Sequence, residues 1–338
     1  LMVIIYVGVT IATVLFLGAK AVDPLFTGSV FGIPMNITTL SWIIGVVAAV
    51  YVAAGGLKAC AWADLIQGSA LIAGGAVIMV LAFMALDQPQ NFEGIDADAV
   101  HESLGVGADA SLAEKFQALK EDKMHMVLPR DNTFLPWTAL LLGIWIPNIF
   151  YWGLNQFITQ RTLGAKSVAE GQKGIMLAAS IKLIIPFIII FPGIMAFQLY
   201  GDQITDQDAA YPTLIREILP VGLRGIMFAA LFGAVLSSLD SMLNSASTIF
   251  TIDLYKRHIR PEASSRRLVT IGRIATGVFV LLACLIAPNL ADPKFGGIFK
   301  YIQMFQGFIS PGIVAVFLFG LVARRAPPIA AIVGMLLN

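Results

Sequence analysis

Residues 225–252 read GIMFAALFGAVLSSLDSMLNSASTIFTI, an apolar run bounded by Arg224 and Asp253 and interrupted by a single charge, Asp240. As a helix rising about 1.5 Å per residue, this run is longer than the ~30 Å hydrocarbon core of a bilayer. A second run, IMLAASIKLIIPFIIIFPGIMAFQLY at 175–200, carries only Lys182. A charge near the bilayer centre costs roughly 2.5–3.5 kcal/mol on insertion scales, so such residues face a water-filled path or a binding site. The two runs therefore predict a membrane-spanning bundle with a polar interior, and that interior is where function is to be sought.

The rest of the chain has the same character. Of 338 residues, 58% are hydrophobic and 13% charged. The mean hydropathy is +0.83, far too apolar for a soluble globular domain. Uncharged runs predict helices over 1–19, 36–57, 64–86, 134–160, 173–200, 222–250, 268–289 and 298–323, with a ninth starting near 326. The ten-residue alternating segments of a membrane β-barrel do not occur, so the fold class is an all-α polytopic membrane protein.

Charge assigns the sides. The connection 161–173 carries Arg161, Lys166 and Lys173 against Glu170, and 253–273 carries six basic residues against two acidic. Arg324 and Arg325 follow the eighth span. By the positive-inside rule these connections are cytoplasmic, Lys58 with them. The connection Asp87–Asp131, with ten acidic and four basic residues, is then external. It reads as a solvated loop with a helix-capable piece at 111–124; a gating lid or partner surface is the other reading. A second external connection, 201–221, holds Asp202, Asp206 and Asp208.

Cys60 and Cys284 read as small packing residues, and His101, His125 and His258 lack metal-ligand spacing. Neither a paired acid and base nor a metal cluster stands at a membrane face, so an enzyme is not expected. Nothing calls for a nucleic-acid partner. The chain opens at Leu1 inside one apolar run and stops at Asn338 inside another, and we expect a piece cut within helices at both ends.

Polar residues gather in four places. Asn148, Tyr151 and Asn155 recur at i, i+3 and i+7, which predicts one helix face of carboxamides and a phenol. Such a face suits a neutral, hydroxyl-rich ligand, and equally suits hydrogen bonding between helices. Lys182 could bond ligand hydroxyls or pair with a buried carboxylate; either role requires it to face the interior. Ala234–Ser245 offers hydroxyl and carbonyl oxygens with one carboxylate, hard donors suited to Na⁺, although small residues also serve close packing. Gln303 could face a cavity, while Lys300 snorkels to the external interface. Prolines at 136, 147, 186, 192 and 311 predict interrupted helices, which transporters use to build sites.

Taken together, Tyr151-Trp152-x-x-Asn155-Gln156-x-x-x-Gln160-Arg161, Ser237-Ser238-Leu239-x-Ser241-Met242-Leu243-Asn244-Ser245, Thr248-Ile249-Phe250-Thr251-Ile252-Asp253-Leu254-Tyr255-Lys256 and Tyr301-Ile302-Gln303 resemble the solute:sodium symporter family. The likeness is greatest to its bacterial sodium/galactose (sodium/glucose-type) members and covers essentially the whole chain. It implies two inverted five-helix repeats, the LeuT-like arrangement. Residues 1–338 would form one transmembrane transporter domain. Within it, 1–86 would be the last three helices of the first repeat, 87–133 the external acidic loop and 134–323 the complete second repeat. Residues 324–338 would start a further helix. The broken first helix would lie upstream of Leu1, so the chain as it stands is not expected to transport.

By the same resemblance, Asn148, Lys182 and Gln303 match sugar hydrogen-bonding positions, Tyr151 an aromatic gate beneath the sugar, and Phe299 an outer hydrophobic cover. Ala234 (carbonyl), Ser237 and Ser238 (hydroxyls) match half of a sodium site, and Asp64 a carboxylate on the inner sodium exit path. Asp240 departs from the pattern, where a small neutral residue is usual; it could add a cation role or pair with Lys182. The function implied is Na⁺-coupled symport of a monosaccharide across the bacterial inner membrane by alternating access, with Na⁺, a small neutral sugar and the lipid bilayer as partners. The alternatives are a family symporter of an inositol, amino acid, nucleoside or sialic acid, or a transporter-like sensor or channel.

Overall fold

The apolar runs form helices where their hydropathy places them. The computed structural model describes residues 2–23, 29–30, 32–132, 135–204, 207–291, 298–323, 325 and 327–337. Helix α1 (Met2–Val22) is followed by a two-stranded antiparallel hairpin, β1 (Ser29–Val30) and β2 (Ile33–Pro34). Gly32, at φ 78°, supplies the left-handed turn residue between them. Then come α2 (Ile37–Asp87), α3 (Ala97–Leu104) and α4 (Leu112–Lys123). The chain continues through α5 (Ala139–Leu154), α6 (Gln156–Leu163), α7 (Val168–Gln203) and α8 (Ala210–Ile218). It ends with α9 (Val221–Ile259), α10 (Ser265–Leu290), α11 (Ile298–Val322) and α12 (Pro328–Leu336). Six helical segments among the described residues are long and apolar enough to cross a membrane, with Ile37–Ala53 and Ala139–Leu154 as shorter apolar helices.

Asn36 starts α2 by accepting a hydrogen bond from the Thr39 amide. Its 51 residues are one run of helical backbone, yet they pack as two spans. Leu40 and Phe228 line one cavity, while Gly74 packs on Met227, the residue before Phe228. On a straight helix Leu40 and Gly74 would lie about 51 Å apart, so the two halves of α2 run past α9 in opposite directions. Small residues allow this closeness. Gly45 lies against the Cys284 sulfur and Gly18 of α1 against the Val235 side chain, where a Cβ would clash. Cys284 is buried there and bonds the Ser41 carbonyl at 3.6 Å, a packing role.

By contact the chain divides into two units, 1–124 with 175–292, and 125–174 with 293–338. The first takes helices from both expected repeats.

Three expectations change. The connection after Asp87 is not a solvated loop through residue 124. Its apolar side is core: Val100 and Leu119 are buried, and Phe116 stacks on Phe83 and Phe191 with centroids 5.4 and 5.8 Å apart. Lys115, 2% exposed, donates to the Asp87 carbonyl at 2.6 Å and so closes an open end of α2. A capping box, Ser111 with Glu114, starts α4.

Second, the interruption that the prolines predict for the span over 134–160 falls at Asn155, beyond Pro147. Residues Phe150–Leu154 widen to a π-turn and Asn155 is extended (φ −83°, ψ 120°), so α6 starts afresh. Gly153 and the preference of Asn for helix ends account for the break. Third, α9 continues as a π-helix over Ile249–Ile259, carrying its charged end beyond the apolar run.

Candidate cation and substrate sites

In the first unit the polar stretch of α9 meets the returning half of α2. The Ser237 hydroxyl donates a hydrogen bond to the Asp64 carboxylate across 173 residues of sequence. Asp64 lies inside helical backbone, not at the helix start that the sequence suggests. One turn on, Gln67 lies against Gly233, where a Cβ would come within 2.6 Å of its amide nitrogen. The Gln67 Oε1 is buried and accepts no hydrogen bond among the described residues. Gln67 is the residue that sequence reasoning missed, and its i+3 spacing from Asp64 was the available signal.

Around α9, at about 100° per residue, Ala234 and Ser238 lie within about 40° of each other, with Ser237 beside Ala234. Asp240 falls about 60° to the other side of Ser237. Asp240 is 2% exposed, and Ser241 donates to the Ser237 carbonyl at 3.0 Å. The helix thus offers carbonyl and hydroxyl oxygens on one side of Ser237 and a carboxylate on the other. These are hard donors that fit a small alkali cation. No group of three or more His, Cys, Asp or Glu suited to a metal occurs among the described residues.

Lys182, also in the first unit, stands on an exposed face of α7. Facing the interior was the condition for either of its expected roles, and among the described residues α7 buries little around it.

The second unit holds Asn148, Tyr151 and Gln303. Asn148 is exposed and donates its amide to the Ile144 carbonyl at 2.9 Å. Tyr151 is half-buried, edge-on to Trp152 and Phe157 with centroids 5.1 and 5.7 Å apart. Asn155, expected on the same helix face, is instead the 2%-exposed residue at the break. Gln303 lines a cavity of about 330 Å³ between α5 and α11, beside Gly143, Pro147, Gly307 and Pro311. Pro147 and Pro311 lack the N–H that an α-helix would direct at the Gly143 and Gly307 carbonyls. The side chains of Lys58, Cys60, Phe299 and Lys300, and residues Asp206 and Arg324, lie outside the described residues.

A family model described as the sodium:solute symporter family matches residues 1–338. The chain belongs to the sodium:solute symporter family. It is 39% identical over 353 aligned residues to the sodium/glucose cotransporter of Vibrio parahaemolyticus, covering 98% of this chain and 60% of that protein. It is 36% identical to an uncharacterized symporter of Escherichia coli (strain K12), covering 95% and 53%. To the sodium/myo-inositol cotransporter 2 of Bos taurus it is 32% identical, covering 96% and 50%. The chain therefore spans half to six-tenths of the length of these symporters.

A solved structure, the substrate-bound outward-open state of a Na⁺-coupled sialic acid symporter, superposes with TM-score 0.73 at 21% identity, covering 99% of this chain and 65% of that one. The fold is thus the all-helical, inverted-repeat transporter fold of a multi-pass integral membrane protein. The named relatives are transporters, not enzymes.

Proposed function

We propose that the protein containing this chain is a Na⁺-coupled symporter of a monosaccharide in the cytoplasmic membrane of a bacterium, working by alternating access. The observation that carries the reading is the Ser237–Asp64 hydrogen bond. It joins two helices at the turn that holds Ala234 and Ser238, with one carboxylate among neutral oxygens. Such a donor set binds Na⁺ without trapping it, because a single negative charge limits the affinity. Sodium is cargo here. Its binding favours the sugar-competent state by its differential affinity for that state, and its departure past Asp64 lets the sugar leave.

Asn148 and Gln303 hydrogen-bond the sugar and Tyr151 covers its inner face; the family resemblance alone gives Lys182, exposed on α7, a sugar contact and Phe299 an outer cover. Asp240 contributes to cation handling from the other side of Ser237. The glucose and myo-inositol named for two relatives are neutral and polyhydroxylated, as the carboxamides suit. An inositol is accordingly the second reading.

The test is uptake of radiolabelled galactose, glucose and myo-inositol into proteoliposomes holding the full-length protein, with and without an inward Na⁺ gradient. We expect Na⁺-dependent sugar uptake that falls at least tenfold in Lys182→Ala and Ser238→Ala, about the loss of one charge-assisted or buried hydrogen bond. Uptake of myo-inositol alone would change the substrate, and uptake indifferent to Na⁺ would overturn the coupling.

A further inference from the structure

At the basic end of the first unit lies a cavity of about 470 Å³, which begins at Asn244, about 10 Å along α9 from Ser237 by helical rise, and reaches Thr251, about 21 Å away. It is walled by α9, α10 and the last turn of the first half of α2. Its polar lining is Asn244, Ser247, Thr248, Thr251, Arg273 and Thr276, with no carboxylate. Two of the hydroxyls are committed to their own helices: Ser247 donates to the Asn244 carbonyl at 3.1 Å and Thr276 to the Gly272 carbonyl at 3.0 Å.

Thr251 is different. It is 5% exposed, and its hydroxyl has no hydrogen-bond partner among the described residues. Leaving a buried hydroxyl unmatched is unfavourable, so its presence on this wall calls for a ligand acceptor. Arg273 is exposed at the rim, and among the described residues it makes no hydrogen bond or ion pair. Lys256, Arg257, Arg260, Arg266 and Arg267 surround this end of the bundle in sequence, giving it a positive field.

A cavity with hydroxyl donors, one available guanidinium and no acid is built for an anion with several acceptor oxygens. We infer that it binds a phosphate group, with the Arg273 guanidinium bonding two of its oxygens and the Thr251 hydroxyl a third. Guanidinium geometry matches phosphate. By the positive-inside rule this basic end faces the cytoplasm, where anionic phospholipids present phosphodiesters. A water-soluble phosphomonoester from the cytoplasm offers the same chemistry. Either would hold α9 against α10, next to the helix that carries the candidate cation site.

The test is native mass spectrometry of the delipidated full-length protein, titrated separately with dioleoylphosphatidylglycerol, dioleoylphosphatidylcholine and glycerol 3-phosphate. We expect one phosphatidylglycerol bound in preference to phosphatidylcholine. Arg273→Gln should weaken that binding about tenfold, and the near-isosteric Thr251→Val about threefold, as expected for a charged and a neutral hydrogen bond. Arg260→Gln, a basic residue outside the cavity, should leave it unchanged. Glycerol 3-phosphate binding with the same sensitivity to Arg273→Gln, without selective lipid binding, would support the phosphate site and assign it to a soluble ligand. Equal losses in Arg273→Gln and Arg260→Gln would overturn the site in favour of diffuse attraction. So would binding indifferent to both Arg273→Gln and Thr251→Val, with thermal unfolding unchanged.

Discussion

Ser237 stands between two sets of oxygens, Ala234 and Ser238 on one side and Asp240 on the other, and it reaches Asp64 on a neighbouring helix. Asp64→Asn keeps the shape and removes the charge. We expect the Na⁺ concentration for half-maximal uptake to rise about tenfold, with little change in maximal uptake at saturating Na⁺, because a hydrogen bond to an ionised group contributes roughly 1.5–3 kcal/mol. An unchanged Na⁺ dependence would take Asp64 off the cation path. Asp240→Asn tests the second set of oxygens: charge moved per sugar should fall, and the Hill coefficient for Na⁺ should drop towards one. An unaltered charge-to-sugar ratio would leave Asp240 as a packing or ion-pairing residue.

The external cap is the element whose behaviour can be worked out from titration. Glu114 accepts bonds from the Ser111 amide and hydroxyl, both at 2.8 Å, which hold its carboxyl below the ordinary 4.5. A depressed folded-state value contributes stability that is present above the unfolded value and lost as pH falls through the folded one. Amide exchange in the first turn of α4, corrected for intrinsic rates, should therefore quicken on acidification below about pH 4.5. Glu114→Gln should remove that pH dependence. Protection that stays constant down to pH 3 would show that the capping box does not hold the helix start. The helix itself was legible at 111–124 from its Ser-x-x-Glu start and periodic apolar residues. Its burial was not, because Phe83 and Phe191 lie in distant helices. An interruption of the span over 134–160 was legible from its prolines, but its place at Asn155 was not, since the π-turn before it has no sequence mark apart from Gly153.

For the whole molecule, the proposed cation site between two helices of one unit would link ligand binding to stability. Na⁺ at 100 times its dissociation constant should stabilise the full-length protein by about 2.7 kcal/mol. The thermal midpoint should rise with Na⁺ and not with choline at equal ionic strength, and Ser238→Ala should blunt the rise. Equal shifts in both salts would mean that salt, not a site, is responsible.

The apolar runs and the polar stretches were legible in the sequence alone, because hydropathy acts residue by residue against a uniform solvent, the bilayer. Tertiary structure decided which oxygens meet. The second half of α2 brings Asp64 and Gln67 to α9, and Gly233 lets Gln67 approach. Lys182 falls on an exposed face of α7, while Gln303 turns into a cavity bordered by two prolines. Those outcomes depend on how closely two helices approach, and that distance is fixed by small residues far apart in the chain, which no local pattern records.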